Sequence, residues 1–64
     1  MIDKERLKLI LMGDVHESVH SSFDFDKIIE KAYEKDGLII VKSTHFMFTY
    51  DAITYEQISG IGGG

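Results

Sequence analysis

His16, Glu17 and His20 are the residues of this 64-residue chain whose types and spacing are best suited to chemistry. On an α-helix, two imidazoles four residues apart lie on one face, one turn above the other. Placed there they can share a divalent zinc ion, with the intervening carboxylate as general base on the metal-bound water. A hydrolytic site also needs a third protein ligand, for which Glu30, Glu34 and His45 are the candidates.

The segment His16-Glu17-Ser18-Val19-His20 resembles the HExxH pattern of zinc metalloproteases, which implies His16 and His20 as ligands and Glu17 as the base. It departs from that pattern at Ser18, where an apolar residue would face the core beneath the metal, and the third ligand follows no spacing of that family. A chain of 64 residues also has no room for the sheet that holds substrate above such a helix. Just upstream, Leu9-Ile10-Leu11-Met12-Gly13-Asp14-Val15-His16 is similar to the first motif of metallophosphoesterases, an apolar strand running into Asp-x-His ligands. That family's later Gly-Asp, Gly-Asn-His and Gly-His-x-His blocks have no counterpart, so the likeness implies no site.

These residues must be positioned by the elements around them. Asp3 to Met12 reads as a helix, with Asp3 as N-cap, good helix formers from Lys4 to Lys8, and Gly13 as a C′ glycine. Leu9 to Met12 alone would also suit a strand, and the cap residues favour the helix. Asp14 to Ser22 is polar, either a loop or a turn or two of helix. The clearest periodicity follows: Phe25, Ile28, Ile29, Ala32 and Tyr33 fall at i, i+3, i+4, i+7 and i+8. With Asp24 as N-cap and Gly37 as terminator, this predicts a helix from Phe25 to Asp36.

Leu38 to Val41 and His45 to Tyr50 are β-branched and aromatic around a polar Lys42-Ser43-Thr44 break, the pattern of an antiparallel hairpin. Asp51-Ala52 makes a turn, after which the alternation of Ile53 and Tyr55 suits a short strand and Thr54-Tyr55-Glu56-Gln57 the capping box of a short helical turn. The hairpin with Ile53-x-Tyr55-x-x-Ile58 is similar to the middle strands of bacterial pleckstrin-like domains, but the other strands and closing helix of that family are missing. Gly60-Ile61-Gly62-Gly63-Gly64 has no following helix to hold a phosphate and reads as a frayed end. The expected organisation is one domain over 1–61 with a glycine tail at 62–64.

Composition narrows the function classes. Without cysteine there is no disulfide framework or thiolate metal site, and the apolar share of 44% suits a folded chain. A chain this short buries only about 60% of its unfolded surface, so its stability is modest. The formal charge of −4, concentrated between Gly13 and Gly37, argues against nucleic acid, which needs clustered Lys and Arg. No apolar run approaches a membrane span, and the start lacks a secretory signal, so the expected location is the cytoplasm.

The expected fold is α+β, one or two helices on a small antiparallel sheet built around a β-hairpin. Its expected core is Leu7, Ile10, Leu11, Phe25, Ile28, Ile29, Ala32, Tyr33, Ile39, Val41, Phe46, Phe48, Ile53 and Ile58. Asp26, Glu30 and Glu34 would form an acidic row on the main helix beside a basic row of Lys27, Lys31 and Lys35. Helices can cover only one face of so small a sheet, which leaves apolar strand surface for another chain. The leading reading is therefore a small non-enzymatic protein-binding module, such as a phage or mobile-element regulator or inhibitor of a larger host protein. Its expected contacts are Phe46, Phe48, Tyr50, Glu30 and Glu34, with a protein partner or self-association, no small-molecule substrate and no cofactor. The alternative is a zinc-binding or metal-dependent hydrolase-like protein using His16 to His20.

Overall fold

Asp3 opens the first helix, α1 (Lys4–Asp14), as expected: its Oδ1 accepts the Arg6 N–H at 3.1 Å, satisfying a donor that the first turn leaves free. The computed structural model describes residues 2–62, so the part of the expected tail at Gly63 and Gly64 lies outside the described residues. Helix α1 continues past the expected stop at Met12. Gly13 does not take the left-handed backbone of a C′ residue, and the Val15 N–H closes on the Leu11 carbonyl at 3.0 Å. Leu7, Leu11 and Val15 then stand in one i, i+4, i+8 row, all buried.

Asp24 caps the second helix, α2 (Phe25–Glu30), accepting the Lys27 N–H at 3.2 Å. The expected continuation to Asp36 does not occur. Asp36 and Gly37 are both left-handed, with φ of 53° and 79°, and form the two-residue turn between β1 (Tyr33–Lys35) and β2 (Leu38–Lys42). Lys35 pairs with Leu38, Glu34 with Ile39 and Tyr33 with Ile40, so Gly37 turns a hairpin instead of ending a helix. A short helix has little stability of its own. Flanking the apolar strand β2 on both sides outweighs extending α2.

The central hairpin forms as expected, β2 pairing with β3 (Phe46–Asp51), although His45 joins the connecting loop instead of the strand. Strand β4 (Gln57–Gly62) then pairs with β3, where a short strand or a turn leading into a frayed end was expected. The sheet is an antiparallel meander in the order β1-β2-β3-β4. Gly60 lies opposite Phe48 and Gly62 opposite Phe46, and a Cβ on Gly60 would stand 2.5 Å from the Phe48 ring. Gly60 thus makes room for the aromatic core, and Gly62 for the backbone of His45 and Phe46. A register shift at Thr49/Tyr50 leaves Ile58 as the extra residue of a bulge.

Both α-helices and a 3-10 helix (Glu17–Ser22) pack on one face of this sheet, which makes the fold α+β. The core comprises Leu7, Leu11, Val15, Phe25, Ile29, Ile39, Val41, Phe46, Phe48, Tyr50 and Tyr55. Several expected members stand elsewhere: Ile10, Ile28 and Ala32 are half-buried at its margin, and Tyr33, on the edge strand, is 45% exposed. Ile53, in the β3–β4 turn, and Ile58, at the bulge, are exposed. Among the described residues no helix is long and apolar enough to cross a membrane.

Candidate functional site

The HExxH segment folds as a 3-10 helix with His16 as its N-cap, not as an α-helix. Three residues per turn set positions four apart about 120° away from each other, so the shared face that zinc ligation needs is lost. Each imidazole has its own local partner. His16 Nδ1 accepts the Ser18 N–H at 3.1 Å and lies 2.7 Å from Ser18 Oγ, while His20 Nε2 donates to the Val15 carbonyl at 2.8 Å and its ring stacks edge-on to Phe25. Of the possible third ligands, His45 lies in the β2–β3 loop against Phe23, Glu30 ends α2 and Glu34 lies on β1. Among the described residues no group of three or more His, Asp or Glu side chains comes together to hold a metal ion. The strand that the metallophosphoesterase likeness implies at Leu9 to Met12 is part of α1.

The expected contact residues Phe46, Phe48 and Tyr50 do share one face of β3, but it is the inner face. They are 4%, 3% and 0% exposed beneath the helices, because both α-helices settle on this side of the sheet. Tyr50 donates from its hydroxyl to Asp14 Oδ2 at 2.8 Å, tying β3 to the end of α1. Burial pushes the Tyr50 phenol well above its ordinary range, and the hydrogen bond to Asp14 and the charge of that carboxylate push the same way. None of the three is available to a partner of the folded chain.

Glu30 and Glu34 are exposed, yet they no longer belong to one row. Because α2 stops at Glu30, Glu34 and Lys35 pass to β1, and both expected charge rows break at that point. Among the described residues the one ion pair is Lys8 with Asp26, at 2.7 Å, which joins α1 to α2. At the other end of the molecule, Tyr55 is buried with a left-handed φ of 63°. Its hydroxyl accepts the Asp3 N–H at 2.8 Å, and the Arg6 guanidinium stands 4.4 Å from its ring centroid. These contacts hold the β3–β4 turn against the start of α1. Within that turn, hydrogen bonds from the Thr54 and Ile53 backbone N–H groups hold the Asp51 carboxyl below its ordinary range.

What remains open is the outer face of the sheet and its β4 edge. The register places Lys42, Met47 and Ile61 in one outward cross-strand row and Tyr33, Ile40, Thr49 and Ser59 in the next. Met47 and Ile40 are half-buried by their neighbours in the sheet, whereas Tyr33 is 45% and Ile61 69% exposed. Strand alternation along β3 sets Met47 and Thr49 on this side, opposite Phe46, Phe48 and Tyr50. The extension of this surface through Ile61 depends on β4, which the glycine content concealed. Compared with protein-family models, curated proteins and solved structures, the chain matches none of them.

Proposed function

We propose that the chain is a small, non-enzymatic, cytoplasmic protein-binding module that seats a partner on the outer face of its sheet, as a regulator or inhibitor of a larger protein would. One observation carries this reading: apolar side chains from all four strands, Tyr33, Ile40, Met47 and Ile61, stand on the face that no helix covers. Contiguous apolar surface of this kind marks interaction sites on small domains. The contact set is thereby moved from Phe46, Phe48 and Tyr50, which the core uses, to the side chains alternating with them. Glu30 and Glu34 lie outside this set.

Met47→Glu tests the reading, because it puts a charge at the centre of the outer face without touching the core. Tagged parent and variant would be used to capture proteins from a lysate of the source cells, with thermal melts confirming that both are folded. The expected result is a protein retained by the parent and lost with Met47→Glu. Equal retention by both, or none by either, would remove this face as the binding site.

A further inference from the structure

We infer that two copies of the chain join edge to edge through β4, antiparallel across a two-fold axis, to form one eight-stranded sheet. The inference rests on the binding-module reading and names the partner for the open end of the same surface. Strand β4 is hydrogen-bonded to β3 on one side, and all six of its residues, Gln57 to Gly62, are exposed. The backbone groups along its other side are those that only an extended strand can pair in full.

Charge selects both the edge and the occupant. The opposite edge, β1, is only three residues long, carries Glu34 and Lys35, and is followed at once by Asp36, the short and charged form that blunts pairing. From Gln57 to Gly62 there is no charge. A strand that pairs with its own copy brings equivalent side chains close together, so a charged strand repels itself and an uncharged one does not. Pairing β4 with β4 is also isologous and closes as a dimer, with the charged β1 edges at its two ends. Pairing β1 with β4 would be head-to-tail and open-ended.

Side-chain placement agrees. Ile61 stands beside Met47 on the outer face, and Ile58 is 54% exposed at the bulge. Antiparallel pairing centred near Gly60 lays Ile61 against Ser59 of the second copy, so the Met47–Ile61 row of one copy meets the Ser59–Thr49–Ile40–Tyr33 row of the other on one continuous outer face. The inward positions opposite Phe46 and Phe48 are glycines, and the one long β4 side chain on that side, Gln57 opposite Tyr50, folds over Gly60. Each copy carries a formal charge of −4, so the two repel over distance and salt must favour their association.

Sedimentation velocity over a concentration and salt series, combined with amide hydrogen exchange, tests the inference. The expected result is a monomer–dimer equilibrium that shifts toward dimer with added salt, with β4 amides slowing in exchange as the dimer forms. Ile61→Lys should leave the chain monomeric where the parent is dimeric, while Tyr33→Lys on the β1 edge leaves the dimer intact. If Ile61→Lys fails to fold, Ser59→Lys makes the same test, and the exchange measurement stands without either variant. A chain that stays monomeric, a dimer lost with Tyr33→Lys instead of Ile61→Lys, or a dimer with unchanged β4 exchange would overturn the inference. Loss of the dimer alongside partner capture that still depends on Met47 would leave the module reading intact, so the two can fail separately.

Discussion

Tyr50 shows most directly how one side chain links distant parts of this chain, since its phenol is fully buried yet reaches Asp14, 36 positions away in sequence. Its folded pKa lies above the unfolded value of about 10, so the fold favours the neutral phenol. The corresponding stabilisation is complete below about pH 10 and is lost as pH rises toward the folded value. Tyr50→Phe removes the hydrogen bond at a cost of about 1 kcal/mol near neutral pH. It also removes the ionisation, so thermal melts between about pH 8 and about pH 11 should fall more steeply for the parent than for the variant. Parallel curves would show that Tyr50 ionises as freely in the fold as in the unfolded chain. The two histidines make the converse point. Their spacing has meaning only on an α-helix, and the capping of Ser18 by His16 belongs to a tighter helix that sets them apart.

Glycine differs in role from element to element, and identical substitutions should separate those roles. Gly13 lies inside α1 with open space where a Cβ would stand, so Gly13→Ala should stabilise the chain by about 0.5 to 1 kcal/mol through helix propensity and a less flexible unfolded state. Gly60→Ala forces a methyl group onto the Phe48 ring and should destabilise by about 1 to 3 kcal/mol, as overpacking of a core usually does. Urea denaturation of the two variants should therefore give midpoint shifts of opposite sign, and a loss for Gly13→Ala would show that its helical geometry is wrong. Gly37 has a third role, with its φ of 79° completing the turn that Asp36 begins. The Asp-Gly pair, flanked by residues able to pair as strands, was the local signal for that hairpin. The helical period from Phe25 to Tyr33 concealed it, because Ala32 and Tyr33 continue the apolar stripe by position alone.

Among the described residues the molecule folds a core of eleven buried side chains between its helices and its sheet, with no disulfide to support it. Ile29 is 3% exposed on α2 within that core, so Ile29→Ala should cost about 2 to 5 kcal/mol. Small domains sit near the low end of the usual 5 to 15 kcal/mol range, so the variant should be largely unfolded by circular dichroism at room temperature. A melt within a few degrees of the parent would mean that the core can spare α2. Low intrinsic stability also gives a dimer through β4 physical weight, because any species that binds only the folded form adds to its stability by mass action.

From the sequence alone came the α+β class, the helix starts at Asp3 and Asp24, and the hairpin of β2 and β3, since caps, apolar periods and β-branched runs act over a few neighbouring residues. The alternation that puts Phe46, Phe48 and Tyr50 on one side of β3 was equally local. Which side the helices would cover was not, because strand alternation is symmetric until a helix packs against one face. That choice moved the exposed surface from the aromatic set to Met47 and its neighbours. The conversion of the segment after Glu30 into β1, and of a glycine-rich end into β4, likewise rested on pairing with strands distant in sequence. There a weak local preference yields to the hydrogen bonds and burial that only the assembled sheet supplies.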